Sequence, residues 1–168
     1  MKTLRLILGD QLSRTISALS DIDRSADVVL MMEVQDEATY VKHHKQKIVL
    51  ILSAMRHFAE SLRDEGIHVD YIKLDDEGNT GSFTAELQRA LLRHRVDRIV
   101  VTEAGEWRVS EMMRHWRELF KLPVEVREDT RFLCSHNGFA TWAKGRKEYR
   151  MEFFYRMMRR KTGWLMNG

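Results

Sequence analysis

Polar residues able to contact a ligand gather in short stretches of the 168-residue chain, each directly after an apolar run. Gly9-Asp10-Gln11-Leu12 offers a backbone free to turn tightly, a carboxylate and an amide. Glu33, Val34, Glu37, Tyr40 and His44 bring two carboxylates, a phenol and an imidazole together, with Ile48 and Ile51 continuing at helical spacing. Asp75-Asp76 forms a third stretch, and Glu103, Gly105, Glu106 and Trp107 add two carboxylates and an indole. An aromatic ring, an imidazole and aliphatic carbons on one face suit a flat heteroaromatic ligand, held by stacking and edge hydrogen bonds. Carboxylates accept from hydroxyl or ring N–H groups and repel phosphate. Each group also has a plainer reading. Asp10 serves equally as a helix N-cap, Tyr40 and His44 as capping and packing residues, and 103–107 as a solvent-facing loop.

Other chemistries lack their signatures. Neither G-x-x-x-x-G-K-[ST] nor G-x-G-x-x-G follows the first apolar run, so the two commonest phosphate cradles are absent. Gly78-Asn79-Thr80-Gly81-Ser82 enters a helix and is either an anion site at that N-terminus or a plain turn with an N-cap. No H-E-x-x-H or Cys/His ligand spacing occurs, and no serine sits in G-x-S-x-G. Cys134 is the single cysteine, which rules out an internal disulfide. His136 stands too close to it in sequence for a nucleophile–base pair. The search yields no catalytic constellation.

The elements that must position these residues alternate. Residues 4–8, 28–34 and 98–102 are short β-branched apolar runs typical of buried parallel strands, and 69–74 and 124–127 repeat the pattern more weakly. Between them the periodicity predicts a helix over 41–65, with Ile48, Ile51, Met55, Phe58 and Leu62 on one face and Gly66 as its stop. Further helices are predicted over 82–92, with Ser82 as N-cap, and over 110–120. This alternation implies a Rossmann-like, doubly wound α/β fold: five parallel strands in the order 3-2-1-4-5, with helices on both faces. Ligands of such sheets sit beyond the carboxyl ends of the strands, where the order reverses. The residues singled out above lie there.

The pattern changes after Arg127. The chain divides into an α/β domain over 1–130 and a segment over 131–168, with short helices predicted at 139–144 and 149–160 and no closing element at 164–168. Residues 144–161 carry eight basic side chains against two acidic ones, so the formal charge of +3 leaves the rest of the chain net acidic. This basic stretch has three readings: a binder of DNA phosphates, a helix packing its Met and aromatic face on another domain, or a solvated charged helix. The spacing of Met151, Phe154, Tyr155 and Met158 favours the second, and an exposed face of this kind also offers a route to a homodimer. The hydrophobic fraction of 43% and charged fraction of 32% are those of a globular protein. No apolar run approaches the roughly 18 residues of a membrane span. The N-terminus turns acidic at Asp10 without a cleavage site, so a first strand and a cytoplasmic location are expected.

Several stretches match one family. Leu6-Ile7-Leu8-Gly9-Asp10-Gln11-Leu12-Ser13 resembles the opening of the bacterial photolyase-related proteins, the iron–sulfur (6-4) branch of the photolyase/cryptochrome superfamily. So do His43-His44-Lys45, the stretch from Ser53 to Ala59, Thr102-Glu103, Gly105-Glu106-Trp107-Arg108, Phe132-Leu133 and Gly145-Arg146-Lys147. The match continues through Met151-Glu152-Phe153-Phe154-Tyr155 and Met158-Arg159-Arg160-Lys161-Thr162-Gly163 to Leu165-Met166-Asn167-Gly168.

The resemblance implies a lyase-type parent that repairs DNA photoproducts or signals light through FAD and a [4Fe-4S] cluster in a helical C-terminal domain. It also implies an N-terminal domain holding an antenna of the 6,7-dimethyl-8-ribityllumazine type. The family's pocket maps onto Gly9, Asp10, Gln11, Leu12, Glu33, Val34, Glu37, Tyr40, His44, Ile48 and Ile51, with Glu103, Gly105, Glu106 and Trp107 closing the other side. Asp10, Glu33 and Glu37 would accept from the ribityl hydroxyls. The present chain stops where the linker to the helical domain would begin, so it is expected to carry the antenna site without the flavin, the cluster or catalysis. Its partners would be that catalytic domain and, through the longer protein, DNA. Two alternatives stand beside this reading: an adenine-nucleotide-hydrolase-like nucleotide-binding domain using the 78–82 loop, and a DNA-binding fragment using the basic tail.

Overall fold

The computed structural model of the chain describes residues 1–166, so Asn167 and Gly168 of the expected open end lie outside the described residues. The apolar runs become β1 (Thr3–Leu6), β2 (Val28–Met32), β3 (Val69–Ile72), β4 (Arg98–Thr102) and β5 (Val124–Arg127). They pair in parallel in the order β3-β2-β1-β4-β5. Among the described residues the helices are α1 (Gln35–Thr39), α2 (Lys45–Asp64), α3 (Phe83–His94), α4 (Trp107–Phe120), α5 (His136–Ala143) and α6 (Met151–Thr162), with a 3-10 turn at Ser17–Leu19.

Side chains alternate across a strand, so the central strands feed two apolar layers. Leu4, Leu6, Leu30, Ile99 and Val101 face one way, under Leu87 and Ala90 of α3 and Met113 and Trp116 of α4. Ile7, Val29, Met31 and Val100 face the other, against Met55, Ala59 and Leu62 of α2. The architecture is the five-stranded, doubly wound α/β sheet that the alternation of elements requires. The stop at Gly66 is a Schellman turn. Gly66 takes φ 79°, its N–H donates to Arg63 O at 2.8 Å, and Ile67 N–H donates to Leu62 O at 3.1 Å.

Two local differences from the sequence expectation bear on function. The helix predicted from residue 41 begins at Lys45, because His44 is its N-cap and accepts from Gln46 N–H at 3.2 Å through Nδ1. Tyr40 and His44 therefore do not share a helical face with Ile48 and Ile51. The unpredicted α1 precedes this cap, and none of its residues is buried.

Arg5 breaks the apolar run of β1 and is almost completely enclosed, as is Asp27, which accepts from its Nε at 2.7 Å. Arg5 also donates to Ala18 O at 2.6 Å and to the Asp21 carboxylate at 2.7 Å. Hydrogen bonds from Arg127, opposed by burial and reinforced by Arg5, hold the Asp21 carboxyl well below the usual carboxylate range. This network fastens the 18–27 connection beneath the sheet, joining β1 to β5.

Met1–Asp129 forms one compact unit and the residues from Thr130 on form another. Within the second, Ser135 Oγ accepts from Gly138 N–H at 3.1 Å to cap α5. The rings of Phe139, Trp142, Tyr149 and Phe154 cluster at centroid distances of 5.0 to 6.4 Å. No residue of α5 or α6 is buried, and Met151, Phe153 and Tyr155 stay exposed.

Removing Arg5 leaves the Asp27 carboxylate enclosed without its cation. Arg5→Met should lower stability by about 3 kcal/mol in urea unfolding, and an unchanged midpoint would contradict this role.

Candidate functional site

A cleft of about 400 Å³ opens beyond the carboxyl ends of β1, β2 and β4, at the place where strand order reverses. Leu8, Gly9 and Asp10 follow β1 into it. Glu33, Val34, Glu37, Tyr40 and His43 reach it from the β2 exit. Ile48, Ile51 and Met55 line it from α2, and Gly105, Glu106 and Val109 from the β4 exit. Its volume is that of a site for a small organic ligand.

Gly9 packs its backbone directly on α2, where no side chain would fit. A Cβ there would sit 3.0 Å from Met55 Sδ and 3.4 Å from Ile51 Cγ2. Gln11 belongs to the framework beneath and does not line the cleft. Its fully buried amide donates to Thr102 O at 3.2 Å and Glu103 O at 3.1 Å, and its Oε1 accepts from Leu8 N–H at 3.3 Å. It ties the β1 exit to the β4 exit.

Four of the other expected residues also stand outside. Leu12 packs in the α2-side core. His44 caps α2, so the capping reading holds for it, while its neighbour His43 lines the cleft and meets Tyr40 edge-on at 5.4 Å. Glu103 is turned to the backbone, accepting from Asp129 N–H at 3.1 Å. Trp107 opens α4 and is 71% exposed, under the Arg114 guanidinium.

The carboxylates of the cleft differ in what they have left to give. Glu33 is saturated: it accepts from Arg56 at 2.6 and 2.8 Å, from the Tyr71 hydroxyl at 2.7 Å and from Leu74 N–H at 2.8 Å. Burial opposes its ionisation, but these donors outweigh burial and lower its pKa. It therefore builds the wall and has no lone pair left for a ribityl hydroxyl, unlike its expected role. Glu37 accepts from Arg108 Nη2 at 2.8 and 2.9 Å, and Glu106 from Arg108 Nε at 3.1 Å. The same guanidinium lies 4.4 Å from the Tyr40 ring centroid. The Asp10 carboxylate sits beside Gly105.

The glycine loop at 78–82 already holds an anion of its own. The buried Glu86 carboxylate accepts from Thr80 N–H at 2.6 Å, Thr80 Oγ1 at 2.8 Å and Arg89 at 2.8 Å, while Gly81 N–H donates to Asn79. The Thr80 and Gly81 N–H groups of the loop are thus already engaged within the chain. Among the described residues, no group of three or more His, Cys, Asp or Glu side chains is placed to hold a metal ion, and no helix is long and apolar enough to cross a membrane.

Sequence reasoning missed His43, Met55, Phe83, Val109 and Arg108. The first four carry no polar spacing signal, and Arg108 reaches Glu37 across 71 positions.

Glu33 gives a pH test. Its stabilisation should be complete above the ordinary glutamate pKa of roughly 4.3 and decline as pH falls through its lowered folded value. Glu33→Gln should cost about 2 kcal/mol at neutral pH, and its deficit against wild type should shrink toward pH 3 in urea titrations. A constant deficit would show that the carboxylate charge is not what matters.

The family model for deoxyribodipyrimidine photo-lyase-related proteins matches residues 5–168. A protein of Agrobacterium fabrum named (6-4) photolyase is 55% identical over all 168 residues, and the chain spans 33% of that relative's length. The chain belongs to the deoxyribodipyrimidine photolyase-related family.

Proposed function

We propose that the cleft is an antenna site, holding a chromophore of the 6,7-dimethyl-8-ribityllumazine type that harvests light for flavin-dependent DNA photorepair or light signalling in a longer protein. The observation that carries this reading is the cleft at the reversal of strand order, walled by the apolar Val34, Ile48, Ile51 and Val109 and with carboxylates at its rim. A flat ring fits between such walls, and a polyol finds acceptors at Asp10, Glu37 and Glu106. In this reading the residues described above bind and orient a pigment and make or break no bond. FAD, the iron–sulfur cluster and DNA contact belong to the remainder of the longer protein, in the cytoplasm.

The second unit has a place in the same reading. The exposed Met151 and Tyr155 of α6, one turn apart, would pack on the helical flavin domain, with self-association as the alternative fate of that face. Much of the basic charge nearby already has local partners. Arg156 pairs with Glu152, Arg150 with Glu148, and Arg146 stacks on Trp142. The nucleotide-binding alternative is weakened by Glu86, an enclosed carboxylate that already takes both Thr80 donors of the loop.

Ile51→Trp tests the assignment directly. The indole should fill the slot and lower lumazine affinity at least about tenfold, read by quenching of lumazine fluorescence, with the melting temperature and far-UV dichroism kept near wild type. Undiminished binding by a folded Ile51→Trp protein would overturn the assignment of that wall.

A further inference from the structure

We propose that Arg108 is the positioning residue that straps the outer wall of the cleft, residues 35–44, to the start of α4 and so sets how long the ligand stays and how dry its ring is. The inference rests on the antenna reading for its ligand, but the strap itself is a property of the ligand-free chain.

The two walls are built differently. The inner wall is fixed by Glu33, whose enclosed carboxylate is held by Arg56, Tyr71 and the Leu74 backbone. The outer wall has no such anchor. None of residues 35–44 is buried, yet Glu37, Ala38, Tyr40 and His43 all line the cleft. Across the cleft from it stands Arg108. One Arg108 guanidinium makes three kinds of contact there: both Glu37 oxygens through Nη2, Glu106 through Nε, and the face of Tyr40. On its other side the wall has a backbone tie, Asp36 N–H to Gly81 O at 3.0 Å.

Both partners of the main pair are part-exposed, Arg108 at 37% and Glu37 at 29%. A pair open to water is breakable, so the wall can release and re-close around a ligand where the Glu33 side cannot. The three contacts require a planar, forked cation. Lysine keeps the charge but cannot stack and bridge two carboxylates at once.

The experiment compares wild type, Arg108→Lys and Arg108→Met in the whole chain. Hydrogen exchange is followed on the ligand-free proteins, and 6,7-dimethyl-8-ribityllumazine dissociation by stopped-flow fluorescence on the loaded ones. Amides of 35–44 should lose protection in Arg108→Met while the strands β1, β2 and β4 keep theirs. Lumazine should leave about tenfold faster, with iodide reaching its ring more readily and with association changed by less than a factor of about three. Arg108→Lys should fall between the two. In the exchange of the ligand-free protein, adding Glu37→Gln to Arg108→Met should change little further, because the Glu37 contact is already broken. Wild-type protection of 35–44 in Arg108→Met would overturn the strap. So would loosening spread equally over the strands, since that is a general loss of stability. If wild type binds no lumazine, the antenna reading fails while the exchange comparison still decides the strap. Unchanged dissociation alongside lost protection overturns the claim that the strap governs the ligand.

Discussion

The buried amide of Gln11 joins two chain segments that the topology otherwise drives apart. After β1 and β4 the backbone leaves the sheet toward opposite layers, and the parallel ladder can no longer supply partners for the carbonyls at the strand exits. Gln11 donates to Thr102 O and Glu103 O and accepts from Leu8 N–H, so the split opens above a satisfied floor. The cleft depends on that floor. Without it, the turns at Gly9 and Gly105 that line the cleft would lose the tie between the two strand exits.

Above this floor the protein meets its acidic residues with arginines, at a burial that matches each task. Glu86 and Glu33 are enclosed, with three or more donors each, and hold their loops in place. Glu37 and Glu106 stand at the rim and share one half-open guanidinium. The same charge pairing thus fixes one wall and leaves the other able to yield. The low polarity between them comes from Ile48, Ile51 and Val109, which the two apolar layers place there as a by-product of packing α2 and α4 on the sheet.

Much of the frame is legible in the sequence because strands buried on both faces must be continuous apolar runs. The run at 98–102 coincides with the buried strand β4, whereas the edge strand β5 at 124–127 has no buried residue and shows only the alternation of Val124 and Val126. α1 was not legible, since a five-residue helix with no buried side chain carries no periodicity. The start of α2 was misplaced because Tyr40, His44 and Ile48 happen to keep helical spacing across a cap, and histidine is an unusual N-cap. At the site, position after a strand marked Gly9, Asp10, Glu37, Tyr40, Gly105 and Glu106, all of which line the cleft. What each carboxylate does there was beyond reach. Arg56 meets Glu33 across 23 positions and Arg108 meets Glu37 across 71, and no local pattern records pairs made by tertiary folding. Gln11 looked like a ligand contact for the same reason.

The central claim is that the crevice between the β1 and β4 exits is where this chain takes its ligand. Titrating isotope-labelled protein with 6,7-dimethyl-8-ribityllumazine and following amide and methyl resonances tests it most directly. Saturable shifts should concentrate at Gly9, Asp10, Ile48, Ile51, Gly105 and Val109, with the 78–82 loop unmoved. Shifts centred on that loop or on α6, or none at all, would contradict it.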